Sequence, residues 1–265
     1  FSLVGAVGDD TAGSSLVENL NAAGVDCRGV IVVPGQQTTT KVRVLAGHLH
    51  SPRQQVIRID YDNAPASGAD VTQQMVAQFK TVAGDVDAVV ISDYNYGVAS
   101  EAITAVIRDL ARDREIPVLV DSRHRLLHFR EFATATPNED EVEQLLNRNF
   151  DQVEELETAC SLLREELGCQ ALLVTRGNNG MILLQKGEPA QRIEAVGSRQ
   201  PIDVTGAGDT VIAAYALALA SGASFEDAAQ IANHAGGVVV MKRGTATLSA
   251  QELTNSINGE RPGHD

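Results

Sequence analysis

The sequence predicts an α/β fold: a three-layer α/β/α sandwich around a mostly parallel central sheet, with a separate β-hairpin. Three patterns carry that expectation. Short, almost uninterrupted apolar runs alternate with amphipathic stretches of helical length, as parallel strands covered on both faces require. Polar residues gather where those runs end, at the sheet edge on which open parallel folds bind ligands. Residues 38–45 and 54–60 instead alternate small or polar with apolar side chains, the signature of a half-exposed hairpin.

The elements follow in order. Residues 1–8 form an apolar run that reads as a buried strand. Chains seldom open inside such a strand, so the natural N-terminal part is expected to be missing. A helix to about Ala23 follows, with Asp9 or Asp10 as its N-cap. Residues 25–33 make the next apolar run, ended by Pro34-Gly35. Residues 47–52 separate the two hairpin strands, and 63–70 form a loop of small residues. Helices are predicted over 71–82, 99–114 and 153–167, and strands over 87–92, 117–121, 171–175 and 181–184. Residues 190–196 add a strand, 224–241 read as the last helix, and the tail after Glu260 is polar.

Composition excludes several classes. The chain has 265 residues, 43% of them hydrophobic, ample for a core. Its formal net charge of −14 argues against nucleic acid and against anionic membranes as partners. No apolar run reaches membrane-spanning length. Three cysteines at irregular spacing fit a reduced, cytoplasmic protein rather than a disulfide framework or a zinc site.

The chemistry centres on Asp203-Val-Thr-Gly-Ala-Gly-Asp-Thr210. A glycine turn here opens into an uncharged, alanine-rich helix. The first backbone amides of a helix lack internal partners, and its dipole adds positive charge there. Gly206, Ala207 and Gly208 therefore suit an anion hole, and Asp209 in the first turn can take a proton from an attacking hydroxyl. Four further segments reach the same predicted rim: 92–94, 121–123, 136–138 and 175–177. Asn138 with Glu141 has capping-box spacing.

The string 203–210 resembles the C-terminal signature of the ribokinase-like (PfkB) sugar kinases, and the resemblance covers residues 1 to about 257. It implies one kinase domain over 1–265, with ATP and Mg²⁺ as cofactors and a sugar phosphate as the other small-molecule partner. Gly206, Ala207 and Gly208 become the anion hole and Asp209 the catalytic base. Asn138 and Glu141 match the family's Asn-x-x-Glu motif, tied to magnesium and phosphate. Thr175, Gly177 and Gly180, with Asn233 and Gly244, fall where the family holds the nucleotide. Asp203 and Thr205 match the loop that binds a monovalent cation such as K⁺ in some members.

The resemblance makes residues 38–60 part of a lid over the sugar, so that Lys41, Arg43 and Arg58 meet its phosphate, and Asp93 and Arg123 join the substrate set. Lid hairpins that pair between subunits imply a homodimer. Within the family, residues 40–45, 54–60, 92–97 and 203–210 look most like the heptose-7-phosphate kinases of ADP-heptose synthesis. Tyr96 and Arg123 depart from that group, which has Lys at both places. Another sugar or nucleoside as acceptor, and a non-catalytic nucleotide-binding module, stand as the alternatives.

Overall fold

The computed structural model describes residues 1–46, 54–62, 68–197 and 200–259. The expected turn at 47–52, most of the loop at 63–70 and the tail after Glu260 lie outside them. The chain divides into two compact units: Phe1–Val86 with Asn95–Val106, and Asp87–Tyr94 with Ile107–Asp265.

In the first unit, β1 (Ser2–Gly8) pairs in parallel with β2 (Asp26–Val33), joined by helix α1 (Thr11–Ala22). Asp10 caps α1, accepting from the Gly13 amide at 2.8 Å, and also accepts from the Thr38 hydroxyl at 2.7 Å. Strands β3 (Thr40–Ala46) and β4 (Gln54–Tyr61) form the expected antiparallel hairpin. Its register pairs Val42 with Ile59 and Val44 with Ile57, so one face is apolar and Lys41, Arg43, Arg58 and Asp60 share the other. Helix α2 (Ala69–Val82) buries Met75 and Phe79.

The second unit is built on a six-stranded sheet ordered β10-β9-β8-β7-β6-β5. Strands β5 (Val89–Asp93), β6 (Val118–Ser122), β7 (Thr134–Ala135) and β8 (Ala171–Thr175) run parallel. Strands β9 (Met181–Gln185) and β10 (Gln191–Ile193) continue it antiparallel. Between them run α3 (Glu101–Arg114), α4 (Glu139–Leu146) and α5 (Val153–Leu167). The chain ends in α6 (Ala207–Ala220), α7 (Phe225–Val239) and α8 (Ala250–Ile257).

Leu173 and Leu183 bury one sheet face against α6 and α7. Their alternate neighbours Leu172 and Leu184, also buried, face the other way, where α5 packs on β8 and β9. Strands buried on both faces explain the near-continuous apolar runs, and the sandwich follows. Helix α8 is an addition to the expected elements. Its signal was present in Ser249-x-x-Glu252: the Ser249 hydroxyl accepts from the Glu252 amide, and the Glu252 carboxylate accepts from the Ser249 amide.

Candidate active site

Helix α6 begins at a tight turn. The Ala207 amide donates to the Val204 carbonyl at 3.2 Å, and Gly206, third in that turn, has φ +79°. Only glycine enters that conformation without strain. Of the three expected amides, that of Ala207 thus has a partner in the turn. The amides of Gly206 and Gly208 have no acceptor within the protein among the described residues. A Cβ built on Gly208 would stand in open space, so the approach to this helix end is clear. Asp209 is exposed in the same first turn. A polar helix start with unfilled amides is where an anion is stabilised.

Asp209 has company. The Tyr94 hydroxyl donates to Asp209 Oδ1 at 3.5 Å, and the Arg123 guanidinium lies 5.6 Å from the centre of the Tyr94 ring. Asp121, at the C-terminal end of β6, has its carboxyl pushed up to about 6, chiefly by burial and then by the charges of Glu141 and Asp209. Glu141 is also raised by burial. Its Oε2 accepts from the Asn138 amide at 2.9 Å while Asn138 caps α4, and its Oε1 lies 3.8 Å from Arg123 Nε. The capping box and the place beside the carboxylates therefore belong to the same residues.

Several expected residues prove to have structural work. Asp93, expected in the substrate set, is 3% exposed, and its carboxylate accepts two bonds from Arg125 and one from Ser122. Its charge is committed inside the protein. Asn233 is 5% exposed, and its amide nitrogen donates to the Glu194 carbonyl at 2.7 Å. From there it fixes the segment after β10. Asp203 accepts from the Thr205 amide at 2.9 Å and the Gly244 amide at 3.0 Å, tying the loop before α6 to the loop after α7.

Thr175, Gly177 and Gly180 occupy the turn between β8 and β9. Thr175 bridges to Asn138, which joins the two expected motifs. Gly177 faces open space, whereas a Cβ on Gly180 would run into the Ile193 carbonyl. A cleft of about 700 Å³ opens beside this turn, lined among others by Arg176, Asn178, Glu194 and Gly197. In the first unit, Arg58 is held by Asp60 through two bonds of 2.8 Å, and Lys41 lies 3.7 Å from Asp60. Arg43 is exposed with no ion pair among the described residues. Sequence reasoning passed over Arg125; it put Tyr94 and Asp121 on the rim without a role, and the sheet register brings both beside Asp209.

A helix start with unfilled amides and an exposed carboxylate, at the end of a parallel sheet, suits a proton acceptor placed beside an anion. The family model for pfkB family carbohydrate kinases matches residues 1–252, and the chain belongs to that family. The bifunctional protein HldE of Pseudomonas aeruginosa (strain LESB58) is 40% identical over 265 residues, which are 98% of this chain and 52% of that protein. HldE of Geobacter sulfurreducens is 35% identical over 257 residues, 97% of this chain and 51% of that one. The chain thus spans about half the length of the curated relatives it matches.

Among solved structures, phosphofructokinase-2 from Escherichia coli in complex with substrates and products superposes with TM-score 0.77 at 20% identity, covering 97% of this chain and 81% of that one. Arabidopsis thaliana ribokinase complexed with ribose and ATP gives 0.73 at 21%, with the same coverage. These likenesses show the ribokinase-like fold. No helix among the described residues is long and apolar enough to cross a membrane.

Proposed function

We propose that this chain transfers the γ-phosphoryl group of ATP to a sugar-phosphate hydroxyl, with heptose 7-phosphate at O1 as the acceptor. One observation carries the reading: Asp209 stands exposed in the same helix turn as the unfilled amides of Gly206 and Gly208. Asp209 takes the proton from the acceptor hydroxyl as its oxygen attacks phosphorus in line. The two amides and the α6 dipole receive the charge on the phosphoryl oxygens. The heptose acceptor rests on the sequence resemblance of residues 40–45, 54–60 and 203–210, and the HldE relatives are consistent with it.

Mg²⁺ fits the carboxylates present. Asp121, Glu141 and Asp209 crowd negative charge at one edge, and burial with mutual repulsion raises the Asp121 carboxyl. No group of three or more such ligands with metal-binding geometry occurs among the described residues, so Glu141 and Asp121 would hold the ion together with the nucleotide's oxygens. Bound there, Mg²⁺ supplies charge neutralisation on the phosphates. Thr175 and Gly177, at an open turn, are proposed to flank the nucleotide. Asp203, each of whose oxygens accepts one amide and keeps a further lone pair, is proposed with Thr205 to hold a monovalent cation such as K⁺. Arg43, with Lys41 and Arg58 released from Asp60, is proposed to take the acceptor's phosphate.

The test is coupled ADP release against a panel of sugar phosphates that includes heptose 7-phosphate. One acceptor far above the ATP-only background establishes the kinase and names its substrate. ATP binding with no turnover on any acceptor favours a non-catalytic nucleotide-binding module.

A further inference from the structure

Tyr94 is the residue whose placement the family signature leaves unexplained. It follows Asp93, whose buried carboxylate is gripped by Arg125 and Ser122. The Arg123 amide donates to the Asp93 carbonyl at 3.1 Å, so backbone and side chain of Asp93 are both fixed. Asn95, immediately after Tyr94, turns the chain away with φ +63°. Tyr94 is therefore held at a defined place on the rim. Its ring lies against the Arg123 guanidinium and its hydroxyl against Asp209 Oδ1. The other carboxylate oxygen, Oδ2, lies toward the helix start: a Cβ built on Gly206 would be 3.9 Å from it.

We propose that Tyr94 is a positioning residue for Asp209: its hydroxyl donates to Oδ1, which fixes the carboxylate rotamer and leaves Oδ2, beside Gly206, to take the acceptor's proton. Holding the base in one rotamer matters because a misplacement of about 1 Å costs roughly a hundredfold in rate. The phenol remains a donor through the neutral range, since burial and then the charges of Asp209 and Asp121 push its ionisation upward. The Arg123 guanidinium, 5.6 Å from the ring centre, steadies the ring. This role rests on the kinase reading above.

The experiment compares wild type with Tyr94→Phe, which keeps the ring and its contact with Arg123. Removing one hydrogen bond to the base should lower kcat by about tenfold while KM for ATP and acceptor stays within about twofold. The melting temperature should be unchanged. A second readout needs no turnover: the isotope-labelled Tyr94 ring resonance, assigned by its loss in Tyr94→Phe, should shift in Asp209→Asn. A Tyr94→Phe variant with wild-type kcat, or a Tyr94 resonance unmoved by Asp209→Asn, overturns the role while an active wild type keeps the kinase reading. A wild type without acceptor-dependent turnover overturns the kinase reading and the role with it.

Discussion

Arg125 closes on Asp93 with two bonds, Nη2 to Oδ1 at 2.7 Å and Nε to Oδ2 at 3.2 Å, and so locks the ends of two adjacent strands together. The Asp93 side chain is 1% exposed and that of Arg125 27%. A charge this buried is tolerated because its partner is bidentate and Ser122 adds a third bond. Replacing Asp93 by Ala takes from a guanidinium that is 27% exposed the carboxylate that holds it with two bonds. The expected loss of unfolding free energy is about 3 kcal/mol, measured by urea denaturation. Arg112→Gln, which breaks the exposed pair with Asp109, should leave the midpoint nearly unchanged. Equal effects from the two would show that the Asp93 pair is not special.

Asp209→Asn keeps the shape of the first turn and removes the base. It should lower kcat by about 10²–10⁴ with ATP affinity largely kept. Single-turnover phosphoryl transfer and nucleotide titration together separate the two quantities. Retained kcat would mean that another group accepts the proton.

The sheet and most helices were legible because strands buried on both faces and amphipathic helices write distinct periods into the sequence. The Asp209 turn was legible because glycine and aspartate have separate duties there. The site's supports were not. Asp93 reads as one more rim carboxylate until the β5–β6 register places it opposite Ser122 and within reach of Arg125. Asn233 reads as a polar exception in an apolar helix, and only the fold shows the Glu194 carbonyl waiting for it. Ala207 reads as a hole amide, and only the turn geometry shows it donating to Val204. Each of these depends on a partner far along the chain or on a dihedral angle, neither of which local pattern encodes.

Two glycines of one turn should respond differently. Gly177 and Gly180 both have positive φ, +53° and +79°. Gly177→Ala adds a methyl in open space and pays only the left-handed strain of about 1 kcal/mol. Gly180→Ala also drives a Cβ into the Ile193 carbonyl and to 2.8 Å from the Ala195 amide nitrogen. Backbone on both sides cannot yield without parting β9 from β10. Its loss should exceed that of Gly177→Ala by about 2 kcal/mol or more, read from paired denaturation curves. A Gly177→Ala variant that binds ATP much more weakly would add direct support for the nucleotide's place at this turn.

Asp121 sets a pH dependence whose sign can be worked out. Its carboxyl is raised from 3.8 to about 6 in the folded chain. The native state then holds a proton that the unfolded chain has already lost, so stability falls as pH rises from about 4 through about 6 and stays lower above that. Asp121→Asn removes the penalty. The variant should match wild type at acid pH and exceed it at pH 8 by about 3 kcal/mol. Glu141 contributes the largest of the charges behind the shift, after burial itself, so Glu141→Gln should move the wild-type fall to lower pH. Mg²⁺ with nucleotide should do the same by screening the carboxylates. A wild-type stability that is flat from pH 4 to pH 8, with Asp121→Asn parallel to it, would mean that Asp121 keeps an ordinary ionisation and that the carboxylates do not crowd one another.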